Sequence, residues 1–535
     1  MRLILVNVAT NGKSTNRALA WIERTGNRLP DPVIIFFYLI IALIGISVIC
    51  ALLGVSAMHP TQIDQSGNPK IEQAVSLLSA GNIQRLWIDM PQTFTHFHPL
   101  GYVLVVMLGA GIAERSGFFA SAIRAVLANA PKQALTPFVA IIAMLSNHAA
   151  DAGYVIVIPI AAIIYAAAGR HPILGIGVGF AGVSGGFSAN LTPGGLDALL
   201  FGITESAYQA SGIDAGWSMN IAGNWWFIIA LLVLYVPVIW CVADRIIEPM
   251  LGKWNPADGA DTDGYQDVDA PLTGDQRRGL RHGYLALLGV ALFWTAMTFG
   301  PGTPLLNDDP EMATAPWYTI AAPFFQSLVA AFFVLFLMAG WAYGRAAGTI
   351  KKTQDLVDMM TDAMKDMAYY LVLAFFAAHF VAMFNWSNLG LISAVHGADA
   401  IRNSGLPLPI VLGLIVLFAG LLNLFVGSAS AKWALLSPVL VPMLMLLGIS
   451  PDGATAAYRV GDSATNIITP IMVYFPLVLV FAQRWQKDFG LGSLTAMMIP
   501  YSIWMLISGT VLMMIWLFLG LPLGPGAPAN IAMPG

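Results

Sequence analysis

Two runs decide how this chain folds. The first is Asn423-Leu424-Phe425-Val426-Gly427-Ser428-Ala429-Ser430-Ala431-Lys432-Trp433, followed by Ser437-Pro438. The second begins after Pro451 and reads Arg459-Val460-Gly461-Asp462-Ser463-Ala464-Thr465-Asn466-Ile467-Ile468-Thr469-Pro470. Apolar sequence flanks both, so Lys432, Arg459 and Asp462 fall at the depth of a bilayer. An ionisable side chain there costs about 2.5–3.5 kcal/mol on insertion scales and is kept mostly where it serves a purpose. Gly427, Pro438, Pro451, Gly461 and Pro470 interrupt the helices around these charges. Broken helices with polar groups at the break are how secondary transporters build a substrate site near the membrane midplane.

The remaining sequence fits that setting. Of 535 residues, 57% are hydrophobic and 10% charged, against roughly 25% charged in a soluble domain. The apolar segments have helix length, not the ~10-residue alternation of a membrane barrel. The fold class expected is therefore an all-α polytopic membrane protein. Spans are expected near 32–57, 97–114, 172–206, 219–243, 284–300, 316–344, 366–385, 453–483 and 493–520. Two apolar stretches, 136–168 and 408–447, are too long for one crossing, and each has a polar interruption midway. They read as re-entrant hairpins whose tips stop inside the membrane, where a protein-lined cavity must satisfy the backbone. Cys50 and Cys241 fall in apolar runs and imply no disulfide framework.

The positive-inside rule tests this layout. With the N-terminal segment 1–31 in the cytoplasm and each hairpin returned to its side of origin, cytoplasmic segments hold 20 of the 25 Lys and Arg residues. Outer segments hold three, Lys70, Arg85 and Arg402; Lys432 and Arg459 lie within the membrane. Nine spans and two hairpins form one transmembrane domain over 32–520, and residues 521–535 become a periplasmic tail. The stretch 345–366 reads as an interfacial amphipathic helix or an extension of the next span.

The two interrupted regions repeat one another. Ala150-Asp151-Ala152 precedes Tyr154 and Pro159; Ala429-Ser430-Ala431 precedes Trp433 and Pro438 at the same spacing. Downstream, Ser188-Ala189-Asn190-Leu191-Thr192-Pro193 answers Ser463-Ala464-Thr465-Asn466-Ile467-Ile468-Thr469-Pro470. The offset is 279 residues at the tips and 277 at the Thr-Pro pairs. In this topology the hairpins enter from opposite faces, so the halves are inverted repeats whose polar breaks meet near the midplane.

Several residues there could carry chemistry. Asp197 follows the helix-breaking Pro193-Gly194-Gly195; it could cap backbone N–H groups freed by the break, or carry a proton, a cation or a substrate contact. Arg459 and Asp462, three apart, share a helix face. They could neutralise each other, but a buried ion pair is seldom kept for stability alone. The functional reading gives Arg459 a substrate carboxylate to hold bidentately, and gives Asp462 a proton or cation. Trp433 is packing, or a stacking surface for an aromatic substrate. Asn147, Asn190, Asn423 and Asn466 offer neutral oxygens suited to Na⁺, with a possible site near Asn423 and Asp462, or else cap the backbone. Asp151 joins them at the first tip. Lys432 snorkels or pairs with an acid. His148 could relay protons, with a satisfied buried His as the plainer reading. No zinc signature, phosphate-binding loop or nucleophile elbow is found, nor any basic stripe for nucleic acid.

The runs Ser146-Asn147-His148-Ala149-Ala150-Asp151-Ala152-Gly153-Tyr154, Ala181 to Asn190 and Tyr458 to Pro470 resemble the aminobenzoyl-glutamate transporter (AbgT) family, over about residues 20–520. The resemblance implies a bowl-shaped homodimer of nine spans and two hairpins per subunit in the bacterial inner membrane. It implies transport of p-aminobenzoyl-glutamate, an anionic aromatic substrate, with no cofactor and with H⁺ or Na⁺ as the coupling ion. Some members are proton-motive-force-driven exporters of sulfonamide antimetabolites. The family's functional positions fall on Asp197, Asn423, Ser430, Trp433, Pro451, Arg459, Asp462 and Pro470. One departure is Thr192-Pro193-Gly194-Gly195, where the family pattern is more aliphatic. Alternatives are a Na⁺- or H⁺-coupled dicarboxylate or short-chain fatty acid carrier, an ion channel, and an intramembrane hydrolase using Ser430 or Ser188 with His148.

Overall fold

Proline and short polar side chains fix where the helices start. The computed structural model describes residues 31–63, 67–127, 131, 134–149, 153–214, 216–217, 220–254, 271–307, 309, 315–469, 472 and 474–532. Helix α1 (Pro32–Leu52) opens on a proline, and Asp31 accepts a hydrogen bond from the Val33 N–H at 2.8 Å, satisfying one of the orphan donors of a first turn. Two short strands follow, β1 (Ser56–Ile63) and β2 (Pro69–Gln73), antiparallel with Ser56 opposite Gln73. This hairpin is a small departure from an all-α fold. Helices α2 (Ala80–Ile88) and α3 (Met90–Thr95) lead to α4 (His98–Arg115), which turns by 62° into α5 (Phe118–Leu127). Gly117, at φ +91°, makes that turn without side-chain strain.

Next come α6 (Leu135–Leu145), a 3-10 turn over Ser146–Ala149, a π-turn over Gly153–Val157, and α7 (Ile158–Ala167). Each arm is shorter than the ~20 residues that cross a bilayer. Helix α8 (Pro172–Phe180) runs into a π-turn at Ala181–Gly185, unwinds, and resumes as α9 (Gly195–Ser211). The middle of the chain holds α10 (Trp225–Leu251), α11 (Gly274–Phe299), α12 (Leu328–Ala347), the amphipathic α13 (Thr353–Asp366) and α14 (Ala368–Trp386).

Helix α15 (Leu389–Ser404) lies where the sequence reads as an outer loop. Gly390, Ser393, His396, Asp399 and Arg402 hide its apolar face, yet Leu389, Leu391, Ile392, Ala394 and Ala398 are buried. The second half then repeats the first: α16 (Leu408–Asn423), a break at 424–428, α17 (Ala429–Leu446), and α18 (Pro451–Thr465) with a 3-10 turn at Asn466–Ile468. Helices α19 (Phe475–Trp485) and α20 (Leu491–Phe518) follow.

Among the described residues, seven helices are long and apolar enough to cross a membrane: α1, α10, α11, α12, α14, α17 and α20; the bent α4–α5 pair makes an eighth. Two glycines set the closeness of packing. A Cβ on Gly182 would collide with Ala143 on α6, and one on Gly461 would collide with the Val416 carbonyl on α16. The two positions are 279 residues apart, the same offset as the tips, and each lets a broken helix press against the neighbouring short arm.

Candidate functional site

Asp462 and Lys432 meet in the interior. Ser428 starts α17 by accepting from the Ala431 N–H at 3.3 Å, which puts Lys432 in the first helical turn. Its ammonium pairs with Asp462 Oδ1 and donates to Asn423 Oδ1. Both charged side chains are about 1% exposed. Asn423 ends α16, and its Nδ2 lies in donor range of the Asp462 carbonyl (2.6 Å), Thr465 Oγ1 (2.9 Å) and Asn466 Oδ1 (2.9 Å). Among the described residues, neither Asp462 oxygen accepts a hydrogen bond of good geometry. The carboxylate therefore depends on one ammonium, and uncompensated burial of such a charge is expensive. That ammonium lies against the same oxygens to which the sequence reading gave a Na⁺.

Arg459 shares a helix with Asp462 but turns to the other half of the chain. Its Nη1 donates to Asp197 Oδ1 at 2.8 Å, and the side chains are 2% and 9% exposed. Asp197 Oδ2 meanwhile accepts the Gly194 N–H at 2.8 Å, closing the unwound turn. Asp197 is thus both backbone cap and counter-ion. The local Arg459–Asp462 pair that the i, i+3 spacing allows does not form, because each charge finds a partner on another element. Among the described residues Arg459 Nε is buried with no partner. Arg459 lines a narrow cleft with a cavity volume of about 10 Å³, together with Asp197, Asp452, Asn220, Asn224 and Thr455.

The two breaks touch as well. Ser463 Oγ donates to the Gly185 carbonyl at 2.6 Å and accepts from the Ser188 N–H at 3.4 Å. Trp433 is fully buried and stacks on Tyr458, with centroids 4.6 Å apart and planes at 22°. Its Nε1 donates to Thr204 Oγ1 at 2.9 Å, and the Tyr458 hydroxyl donates to the Ala429 carbonyl at 2.6 Å. Tyr154, 279 residues before Trp433, stacks on Tyr474 at 4.2 Å.

The chain as a whole has known relatives. The family model described as "AbgT putative transporter family" matches residues 17–531. The chain belongs to this family. The p-aminobenzoyl-glutamate transport protein of Escherichia coli (strain K12) is 35% identical over 518 residues, 96% of this chain and 97% of that protein. Two solved structures are similar. The YdaH transporter of Alcanivorax borkumensis, reported to have an unusual topology, superposes with a TM-score of 0.84 at 39% identity, covering 93% of this chain and all of that one. MtrF of Neisseria gonorrhoeae, presented as illuminating a class of antimetabolite efflux pumps, gives 0.86 at 38% identity, covering 95% and 100%. This AbgT-family chain is a multi-pass membrane transporter and not an enzyme.

The other sequence-selected positions divide into groups in the AbgT chain. Pro451 sits in the first turn of α18, beside the Ser450 cap on the Gly453 N–H (3.1 Å). Ser430 is half-buried against Ser428 at 3.2 Å. Asn466 belongs to the Asp462 network. Asn147 and Asn190 do not: Asn147 donates to the Met144 carbonyl (2.8 Å), and Asn190 Nδ2 donates to His148 Nδ1 (2.9 Å). His148 Nε2 then meets Thr192 Oγ1 at 2.9 Å, so the ring is a satisfied bridge between the first tip and the first break. Asp151 and Pro470 lie outside the described residues. Sequence reasoning missed Asp452, Asn220, Asn224, Thr204 and Thr455. Asn220 and Asn224, four apart before an apolar run, were a faint signal; Asp452 passes for an ordinary first-turn carboxylate.

Proposed function

We propose that this transporter is an ion-coupled carrier of p-aminobenzoyl-glutamate and of sulfonamide-type antimetabolites. It would export them across the bacterial inner membrane at the expense of the proton motive force. The observation that carries this reading is the crossed pairing of charges, Arg459 with Asp197 and Lys432 with Asp462. A substrate carboxylate competes with Asp197 for the Arg459 fork, which offers planar bidentate geometry. An aromatic substrate ring takes the place of one partner in the Trp433–Tyr458 stack. Lys432 acts as a tethered cation: a proton or Na⁺ neutralising Asp462 frees it, loosening α17 from α18. Each event releases one buried charge, Asp197 or Lys432, from its partner, and the cost of leaving it uncompensated favours rearrangement of the helices that carry it.

The architecture assumed is nine spans and two re-entrant hairpins, at 136–168 and 408–447, in inverted repeats within a homodimer, with a cytoplasmic N-terminus and a periplasmic C-terminus. The equal 279-residue offset of Gly182 and Gly461 supports the repeat. The names of the Escherichia coli and Neisseria gonorrhoeae relatives support the substrate class. The test is counterflow of labelled p-aminobenzoyl-glutamate in proteoliposomes, with succinate and butyrate as competitors. Saturable counterflow blocked by unlabelled p-aminobenzoyl-glutamate alone is expected. Block by succinate or butyrate instead would assign the protein to the dicarboxylate or fatty acid carriers, and unsaturable flux with single-channel currents would make it a channel.

A further inference from the structure

We propose that Asp452, Asn220 and Asn224 form a binding site for one monovalent cation of sodium's size. This site would be separate from the Lys432–Asp462 centre. It lies in the cleft that also holds Arg459 and Asp197, seven residues and so about 10 Å along α18 from Arg459.

The geometry begins with two amides held in one orientation. Asn220 Nδ2 donates to the Pro525 carbonyl at 2.9 Å, and Asn224 Nδ2 donates to the Asp452 carbonyl at 3.2 Å. Carbonyls accept only, so neither amide can be turned over without losing its bond. Among the described residues neither side-chain oxygen has a donor, and both residues line the cleft and are 7% exposed. A buried oxygen without a partner costs roughly 1–3 kcal/mol, and here there are two in one cleft.

Beside them sits a carboxylate that nothing neutralises. Asp452 is 5% exposed. One oxygen accepts the Trp217 Nε1–H at 2.7 Å, and the other rests against Gly223, where a Cβ would collide with it. Among the described residues Asp452 forms no ion pair, since Arg459 in the same cleft is engaged by Asp197.

One anionic oxygen and two neutral amide oxygens make a hard, all-oxygen ligand set. Its single negative charge balances a monovalent ion and leaves a divalent one under-compensated. A proton on Asp452 supplies one O–H donor and satisfies at most one of the two amide oxygens, whereas one cation answers all three. Its role in the cycle rests on the ion-coupled carrier reading, but its existence does not.

The test is equilibrium binding of ²²Na⁺ to the purified full chain, without substrate and at constant ionic strength in choline chloride. Wild type is expected to bind Na⁺ saturably, with at least tenfold weaker competition by K⁺. Asp452→Asn, which keeps the shape and the Trp217 bond, and Asn224→Leu should each raise half-saturation at least tenfold. Where one variant is not monodisperse, the other decides, together with the rise in melting temperature that NaCl gives over choline chloride. Absence of saturable binding in wild type would overturn the site, as would unchanged affinity in the variants or loss on Asp462→Asn alone. Because no substrate is present, a failed cation site and a failed carrier assignment give different results.

Discussion

Separating Lys432 from Asp462 has a consequence that follows from their burial. Both side chains are about 1% exposed, and among the described residues the acid has no other cation against it. Lys432→Met should leave an uncompensated carboxylate, and Asp462→Leu an ammonium held only by Asn423 Oδ1. Removing one member of a buried pair costs about 3–5 kcal/mol, while replacing both with apolar residues of similar volume is near neutral. The double variant Lys432→Met/Asp462→Leu should therefore melt close to wild type. The double-mutant cycle should then give a coupling of about 6 kcal/mol or more, the sum of the two single losses. Thermal unfolding in detergent, matched for monodispersity, reads the stability; substrate counterflow reads the function. All three variants should be inactive, because the stable double variant has lost the charges that are exchanged in the cycle. A double variant that is stable and transports like wild type would reduce the pair to a structural feature. Single variants melting like wild type would refute the burial argument itself.

Asp197→Asn should fold, because its amide oxygen can still accept the Gly194 N–H, yet lose at least 90% of counterflow; Arg459→Lys should be impaired too, since a point charge cannot reproduce the fork. Gly461→Ala places a methyl against the Val416 carbonyl and should cost about 1–3 kcal/mol or more, seen as a fall in melting temperature. Gly45→Ala in α1, with open space around it, should not lower it. At the loop before α8, Arg170 bonds Glu248 Oε1 (2.8 Å) and Oε2 (2.6 Å), Asp244 (2.6 Å) and Thr136 (2.8 Å). Burial pulls its guanidinium down, but the Glu248 and Asp244 carboxylates outweigh this and raise it above its ordinary value. Arg170→Ala should destabilise by about 1.5–3 kcal/mol, and raising pH from 6 to 9 should leave the wild-type lock intact in the same melting assay.

What the sequence made legible is what hydropathy and helix breakers encode. The long apolar helices, the interruptions at 146–149 and 424–428, and the unwound stretch after Gly185 follow from Gly, Pro and polar residues inside apolar runs. Helix α15 was hidden because its exposed face is polar and only Leu389, Leu391, Ile392, Ala394 and Ala398 mark the buried one. The charges were visible, but their partners were not. Arg459–Asp197 spans 262 residues, and spacing along one helix carries no record of what a distant element brings against it. Asn220 and Asn224 left only a faint trace for the same reason, since Pro525 and Asp452, distant in sequence, fix their amides.

The account rests on an anionic guest and a coupling ion exchanging places with Asp197 and Lys432. Flux of labelled p-aminobenzoyl-glutamate in liposomes, with pH and Na⁺ gradients imposed one at a time, tests this most directly. Saturable accumulation driven by at least one gradient, and abolished in Asp462→Asn and Asp197→Asn at wild-type protein levels, is the expected result. Flux that ignores both gradients, or that survives in both variants, would contradict it.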